Sequence, residues 1–194
     1  MIMQRQYSYP IEIDKRIGII PGNDICVFVV TGRGGTIYGY KNKYVSLAAE
    51  VSECYGYTIC VVASPKEGPL ELIENMDLCM NASNFTEVRY IGISYGALVG
   101  AQQGWQIPKI SKMLLINGPL MINWHKTKLG AERFQGKEIM FVYGEKDPSY
   151  KYFGLLKNID SNIISMYSVD GADHHFSGME DKEMELVQYF ISKE

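Results

Sequence analysis

Apolar residues along this chain fall into short dense runs, separated by segments in which they recur at helical spacing. The run "CVFVVTG", Cys26 to Gly32, is rich in β-branched residues and stopped by glycines, which predicts a buried strand. "KYVSLAAEVSECYG" then carries Val45, Leu47, Ala48, Val51 and Tyr55 near helical spacing and predicts an amphipathic helix ended by Gly56. "YTICVVAS" is the next buried strand. The alternation continues through a helix near Leu70 to Met80, a strand from Val88 to Ser94, a helix from Tyr95 to Gln103 and a strand in "KMLLINGP". It closes with "KEIMFVYG" as strand, a helix near Tyr150 to Lys157, "NIISMYSV" as strand, and a helix after Ser177 with Met184, Leu186, Val187 and Phe190 on one side. Two short strands, around "YSYPIEI" and "RIGII", precede the series.

Strands that are apolar on both faces and alternate with helices predict an α/β fold, with a mostly parallel central sheet and helices on both faces. In such sheets, binding and catalytic groups gather at the carboxyl ends of the strands, where helix N-termini and loops converge. The segments that follow the strands are "TGRGG", "SPKEG", Ser94, "NGP" at 117–119, "GEKDP" ending at Asp147 and Pro148, and "DGADHHF" from Asp170.

With 194 residues, 46% hydrophobic and 21% charged, the chain is expected to form a single domain spanning 1–194. Its 22 acids and 19 bases are scattered with no basic block, which argues against nucleic acid or an anionic membrane as partner. The leading "MIMQRQYSYPIEIDKR" lacks the apolar core of a signal peptide, and no apolar run is long enough to cross a bilayer. A cytoplasmic location is expected, with the oligomeric state left open. Cys26, Cys54, Cys60 and Cys79 lack the close-pair spacing of a zinc site and lie in hydrophobic segments, so they are expected to be free, buried thiols. No metal or cofactor is implied. Gly32-Arg33-Gly34 is followed by Ile37 where a dinucleotide fingerprint needs its third glycine, and no Gly-Lys-Ser/Thr follows.

The sharpest chemical signal is "GISYG". It ends an apolar strand and opens the small-residue helix "GALVGA", as a nucleophile elbow requires, and Gly92 and Gly96 leave room for a tight turn beside Ser94. A serine hydroxyl needs a base, and the base needs a third group to orient it. His125 lies in the polar stretch "MINWHKTK" with no strand end near it. His174 and His175 follow the last strand; His174 is the chosen base, with Phe176 anchoring the loop and His175 facing outward. Asp147, four residues past a strand and stiffened by Pro148, is the acid, since the preceding strand ends at Asn117 and offers no carboxylate. The glycine turn "TGRGG" and the N–H of Tyr95 can cradle an oxyanion.

Carried by "GISYG", "YGEKDP" and "GADHHF" in this order, together with "TGRGG", the chain from about Ile17 to Lys193 resembles the α/β-hydrolase superfamily. The resemblance implies Ser94 as nucleophile, His174 as base and then acid, Asp147 as its orienter, and the backbone N–H groups of Arg33 and Tyr95 as oxyanion donors. Many relatives have histidine where this chain has Thr31, so the hydrogen bonding inside that loop is expected to differ. Residues 119–137 leave space for no more than a rudimentary cap. The activity implied is that of a serine esterase or thioesterase, cleaving a small-molecule acyl substrate through an acyl-enzyme. The alternatives are acyl transfer or peptide cleavage on the same triad, or a binding protein that retains the fold. Arg33 either attracts a substrate carboxylate or faces solvent. Tyr38, Tyr95 and Met121 to Trp124 either line an acyl pocket or belong to the core.

Overall fold

The computed structural model describes residues 8–193, so residues 1–7, on which part of the N-terminal reading and the start of "YSYPIEI" fall, lie outside the described residues. In chain order the elements are β1 (Ile11–Ile13), β2 (Ile17–Ile20), β3 (Ile25–Arg33), α1 (Lys43–Tyr55), β4 (Thr58–Ser64), α2 (Leu72–Ala82), β5 (Glu87–Ile93) and α3 (Tyr95–Gln103). They continue as β6 (Ile110–Ile116), α4 (Trp124–Arg133), β7 (Glu138–Gly144), a 3-10 segment (Tyr150–Asn158), β8 (Ile164–Val169) and α5 (Glu180–Ser192). The strands form one sheet in the order β1-β2-β4-β3-β5-β6-β7-β8. β2 is antiparallel to β1 and β4, and every pair from β4-β3 to β7-β8 is parallel.

Side chains alternate between the two faces of each strand, and the sheet builds a core on each side. Phe28, Val30, Tyr90, Met113 and Phe141 meet residues of α2, α3 and α4 on one face. Val27, Val29, Ile91, Leu114 and Val142 meet α1 and α5 on the other. This double coverage explains why the strands read as continuous apolar runs. Helix α3 is buried from Gly96 through Gln102, and Gly100 lies so near Tyr90 that a Cβ there would fall 2.4 Å from its ring.

Residues 119–137 are occupied largely by α4, which lies against α3. A Cβ on Gly130 would come 2.2 Å from the carbonyl oxygen of Ala101. The Gln102 amide donates to Ile122 O and to Thr127 Oγ1, fixing the segment against α3. His125 is exposed on α4.

Two expectations need correction. Cys26, Cys60 and Cys79 are buried, but Cys54 is exposed. It sits in the last turn of α1, beyond the buried positions Leu47, Ala48 and Val51. The helix expected near Tyr150 winds as a tighter 3-10 segment in which only Leu156 is buried, so little packing holds it to α-helical geometry. Arg89 and Lys112, in the middle of apolar strands, are both buried. They reach the end of α5: Arg89 donates to Ile191 O, and Lys112 donates to Phe190 O at 2.8 Å and to Lys193 O. Cations here satisfy carbonyls that a helix terminus leaves without intrahelical partners.

Burial, reinforced by the nearby Arg89 charge, lowers the Lys112 ammonium from its ordinary 10.5 to about 8. Between those values the unfolded chain holds a proton that the folded chain has released, so this group makes stability rise with pH across that window. Lys112→Met is expected to flatten the rise in unfolding midpoint between about pH 8 and about pH 10. Equal slopes for wild type and variant in thermal unfolding would contradict the assignment.

Candidate active site

The site starts from the turn between β5 and α3. A Cβ on Gly92 would lie 2.6 Å from Ala97 N, and one on Gly96 would lie 2.2 Å from Val30 O, so neither position has space for a side chain. The backbone passes from strand to helix through Ser94, which is held at φ 53° and ψ −110°. A non-glycine residue in such a conformation costs on the order of 1–3 kcal/mol and persists only where its surroundings enforce it.

Two further strand ends converge on this serine. Asp147 follows β7 and is almost fully buried; its Oδ1 accepts the N–H of Ser149 at 2.6 Å, and its Oδ2 bonds His174 Nδ1. His174 follows β8, and its Nε2 lies 3.0 Å from Ser94 Oγ. Ser94, His174 and Asp147 thus meet in one hydrogen-bonded line, although 80 residues separate the first pair and 27 the second. His175 is exposed and stands edge-on to His174, with ring centroids 5.0 Å apart. Phe176, at φ 52°, is buried against the core beneath α1 and α5. Asp173 Oδ1 accepts the N–H groups of His175 and Ser177, and the Ser177 contact above all holds this carboxyl below its usual range.

Asn117, which the sequence marked only as a position without a carboxylate, is fully buried and ties these loops together. Its Oδ1 accepts the Gly144 N–H at 2.8 Å, while its Nδ2 donates to Asp173 O at 3.2 Å and His174 O at 3.0 Å. The end of β7 and the histidine loop are therefore joined through one amide. The only signal for this in the sequence is an asparagine at a strand end, a residue type that tolerates the φ of 49° found here.

The glycine turn is pinned to β4. Thr31 Oγ1 accepts the Ser64 N–H, Ser64 Oγ donates to Thr31 O, and Gly34 N–H donates to Ser64 O. Tyr95 opens α3, and its N–H is one of those that a helix start leaves without an intrahelical acceptor. The Arg33 guanidinium is exposed yet engaged, 3.5 Å from the centre of the Tyr95 ring and donating to Gly68 O at 2.6 Å. Tyr95 Oη in turn accepts the Leu70 N–H, so Arg33 and Tyr95 both hold the segment 65–71.

A cavity of about 760 Å³ opens at Ser94 and His174, within the range typical of small-molecule sites. Its walls are the Thr31–Gly35 turn, the segment Gly39–Tyr44, the loop His174–Gly178 and the start of α5. The candidate lining residues Tyr38, Tyr95, Met121 and Trp124 are not among these walls. Tyr38 bonds Glu12, and Met121 and Trp124 pack around a separate small gap with Tyr143 and Phe153. Among the described residues, no three acidic, histidine or cysteine side chains are gathered to hold a metal ion, and no helix is long and apolar enough to cross a membrane.

No family model matches the chain, and no curated protein matches it by sequence. Solved structures do. Est1E from Butyrivibrio proteoclasticus superposes with a TM-score of 0.68 at 11% identity, covering 94% of this chain and 98% of that one. An alpha-beta serine hydrolase homologue from Coxiella burnetii gives 0.67 at 16% identity, covering 88% of each chain. The thioesterase domain from the curacin biosynthetic pathway gives 0.64 at 11%, covering 91% of this chain and 97% of that one. With an eight-stranded, mostly parallel sheet and structural neighbours of this kind, the chain has the α/β-hydrolase fold.

Proposed function

We propose that the protein is a serine hydrolase that cleaves small carboxylic esters or thioesters through an acyl-enzyme. The observation that carries this reading is the line Ser94 Oγ, His174 Nε2, His174 Nδ1, Asp147 Oδ2, set on a backbone strained at the serine. Esterase and thioesterase neighbours support it at the level of ester chemistry.

With Asp147 ionised, its carboxylate fixes the Nδ1 proton of His174 and leaves Nε2 bare to accept the proton of Ser94 Oγ. The serine oxygen then attacks the substrate carbonyl, and the N–H groups of Arg33 and Tyr95 stabilise the charge that develops on its oxygen. Imidazolium formation at His174 is offset by the Asp147 carboxylate. Collapse of the tetrahedral species expels the alcohol or thiol, which takes the proton from Nε2 and leaves the acyl group on Ser94. Water repeats the sequence with His174 as base, releasing the acid and restoring the serine. Asn117 acts as a positioning residue, since it holds the carbonyl of His174 and the strand end that leads to Asp147.

A panel of p-nitrophenyl esters and acyl-CoA thioesters of graded chain length tests the reading. Ser94→Ala is expected to lower kcat by on the order of 10⁴-fold or more, with an unchanged circular dichroism spectrum. Ester turnover surviving in this variant near the wild-type rate would remove Ser94 from the mechanism.

Asn117→Gly keeps the backbone freedom this position needs while deleting the clamp. It is expected to lower kcat by on the order of 10²-fold with little change in KM, because a displaced imidazole impairs proton transfer more than substrate capture. A variant with wild-type kcat would show that the loop holds His174 without Asn117.

A further inference from the structure

Beyond the serine, the cavity contains a second polar feature that the steps above do not use. Lys43 Nζ lies 3.0 Å and 2.9 Å from the two carboxylate oxygens of Glu183, and both residues line the cavity, with Lys43 from the start of α1 and Glu183 from the first turn of α5. The pair is largely removed from solvent, at 22% and 5% side-chain exposure. Beside it, Tyr44 is only 7% exposed and lines the same cavity, with its ring centre 5.1 Å from Lys43 Nζ, and its hydroxyl has no hydrogen-bond partner among the described residues. Desolvation, followed by the Glu183 charge, pushes this phenol well above the usual tyrosine range, so it stays protonated and able to donate.

Glu183 suits the first turn of α5, but Lys43 does not suit its own place at the start of α1. A lysine in the first turn of a helix opposes the positive end of the helix dipole, and a desolvated ion pair is often no more stable than apolar residues of the same volume. The chain that delivers Lys43 is also strained, with Lys41 at φ 50° and Asn42 at φ 60°. Position in the cavity wall is what the pair gains in return.

We propose that Lys43, Glu183 and Tyr44 form a recognition site for an uncharged hydroxyl group on the substrate, so that the preferred esters carry a hydroxylated ring or chain. The proposal rests on the hydrolase reading for the word ester, but the site itself does not depend on catalysis. The ammonium of Lys43 has three donors and directs two to Glu183, each Glu183 oxygen can accept a further bond, and Tyr44 can donate or accept. A hydroxyl can donate to one Glu183 oxygen while accepting from Lys43 and Tyr44, and so can engage all three residues at once. A charged group does not fit as well: the cavity wall carries Arg33 and Lys43 against Glu180 and Glu183, so its formal charges cancel. Arg33 is moreover already committed to Gly68 O and the Tyr95 ring. The size of the cavity and the exposed ring of Tyr40 on its wall suit a ring-bearing substituent.

Uncleaved amides test the site independently of catalysis. Binding of 3-(4-hydroxyphenyl)propanamide, 3-phenylpropanamide and 3-(4-carboxyphenyl)propanamide to the full chain is measured by NMR titration, alongside hydrolysis of p-nitrophenyl acetate. Wild type is expected to bind the hydroxylated amide roughly ten- to a hundredfold more tightly than either other ligand, the range for one hydrogen bond that includes charged partners. In the double variant Lys43→Met/Glu183→Leu, which removes both charges together, the preference is expected to fall to about twofold or less. Tyr44→Phe, which deletes one hydroxyl and keeps the packing, is expected to lose part of it and stands in if the double variant does not fold by thermal unfolding. Equal binding of the hydroxylated and plain amides by wild type, tighter binding of the carboxylated one, or an unchanged preference in folded variants would overturn the proposal. Failure to hydrolyse p-nitrophenyl acetate with the hydroxyl preference intact would overturn the hydrolase reading alone.

Discussion

The close approach of α3 to the sheet is the constraint on which the rest of the site depends. Gly96 sits against the carbonyl of Val30 and Gly92 against the first turn of α3, with no room for a Cβ at either. Had either carried a side chain, α3 would have to move off the sheet and the backbone at Ser94 could relax out of its strained conformation. The strain is held by burial: α3 is covered along most of its length by both neighbouring strands and by α4, so the turn cannot open without exposing that packing.

Parallel strands then determine what can meet that serine. Because β5, β6, β7 and β8 run in the same direction side by side, their following loops emerge at one edge, and residues distant in sequence arrive within hydrogen-bonding reach. The adjacency alone leaves the loops free to wander. Asn117 fixes the end of β7 to the histidine loop, Phe176 anchors that loop in the core, and Asp173 braces its turn through two backbone N–H groups. The opposite wall is held by Thr31 and Ser64, which join the glycine turn to β4.

Much of this architecture was legible because it is local. The boundaries of α3, Tyr95 to Gln103, follow from a glycine-bounded small-residue run, and Gly56 ends α1 at φ 64°, as its place after the apolar stripe implies. The convergence of Ser94, Asp147 and His174 could be read from their shared position after strands. What could not be read depends on pairing between distant elements. Arg89 and Lys112 look anomalous in apolar strands until the end of α5 is known to lie against them. Asn117 looks like an ordinary turn residue until the two loops it joins are adjacent. Cys54 looked buried from its segment, but it is exposed in the last turn of α1. The same holds for the cavity wall, since Lys43 and Glu183 are 140 residues apart and neither stands out alone.

The central claim is that the environment of Ser94 turns an ordinary hydroxyl into a nucleophile by way of His174. Covalent labelling by a fluorophosphonate, read by peptide mass spectrometry, tests this most directly because it needs no knowledge of the natural substrate. One equivalent of adduct on the peptide carrying Ser94 is predicted, with labelling nearly abolished in His174→Ala and retained in His175→Ala. Absence of adduct, or labelling of Ser94 at the same rate after loss of His174, would contradict the account.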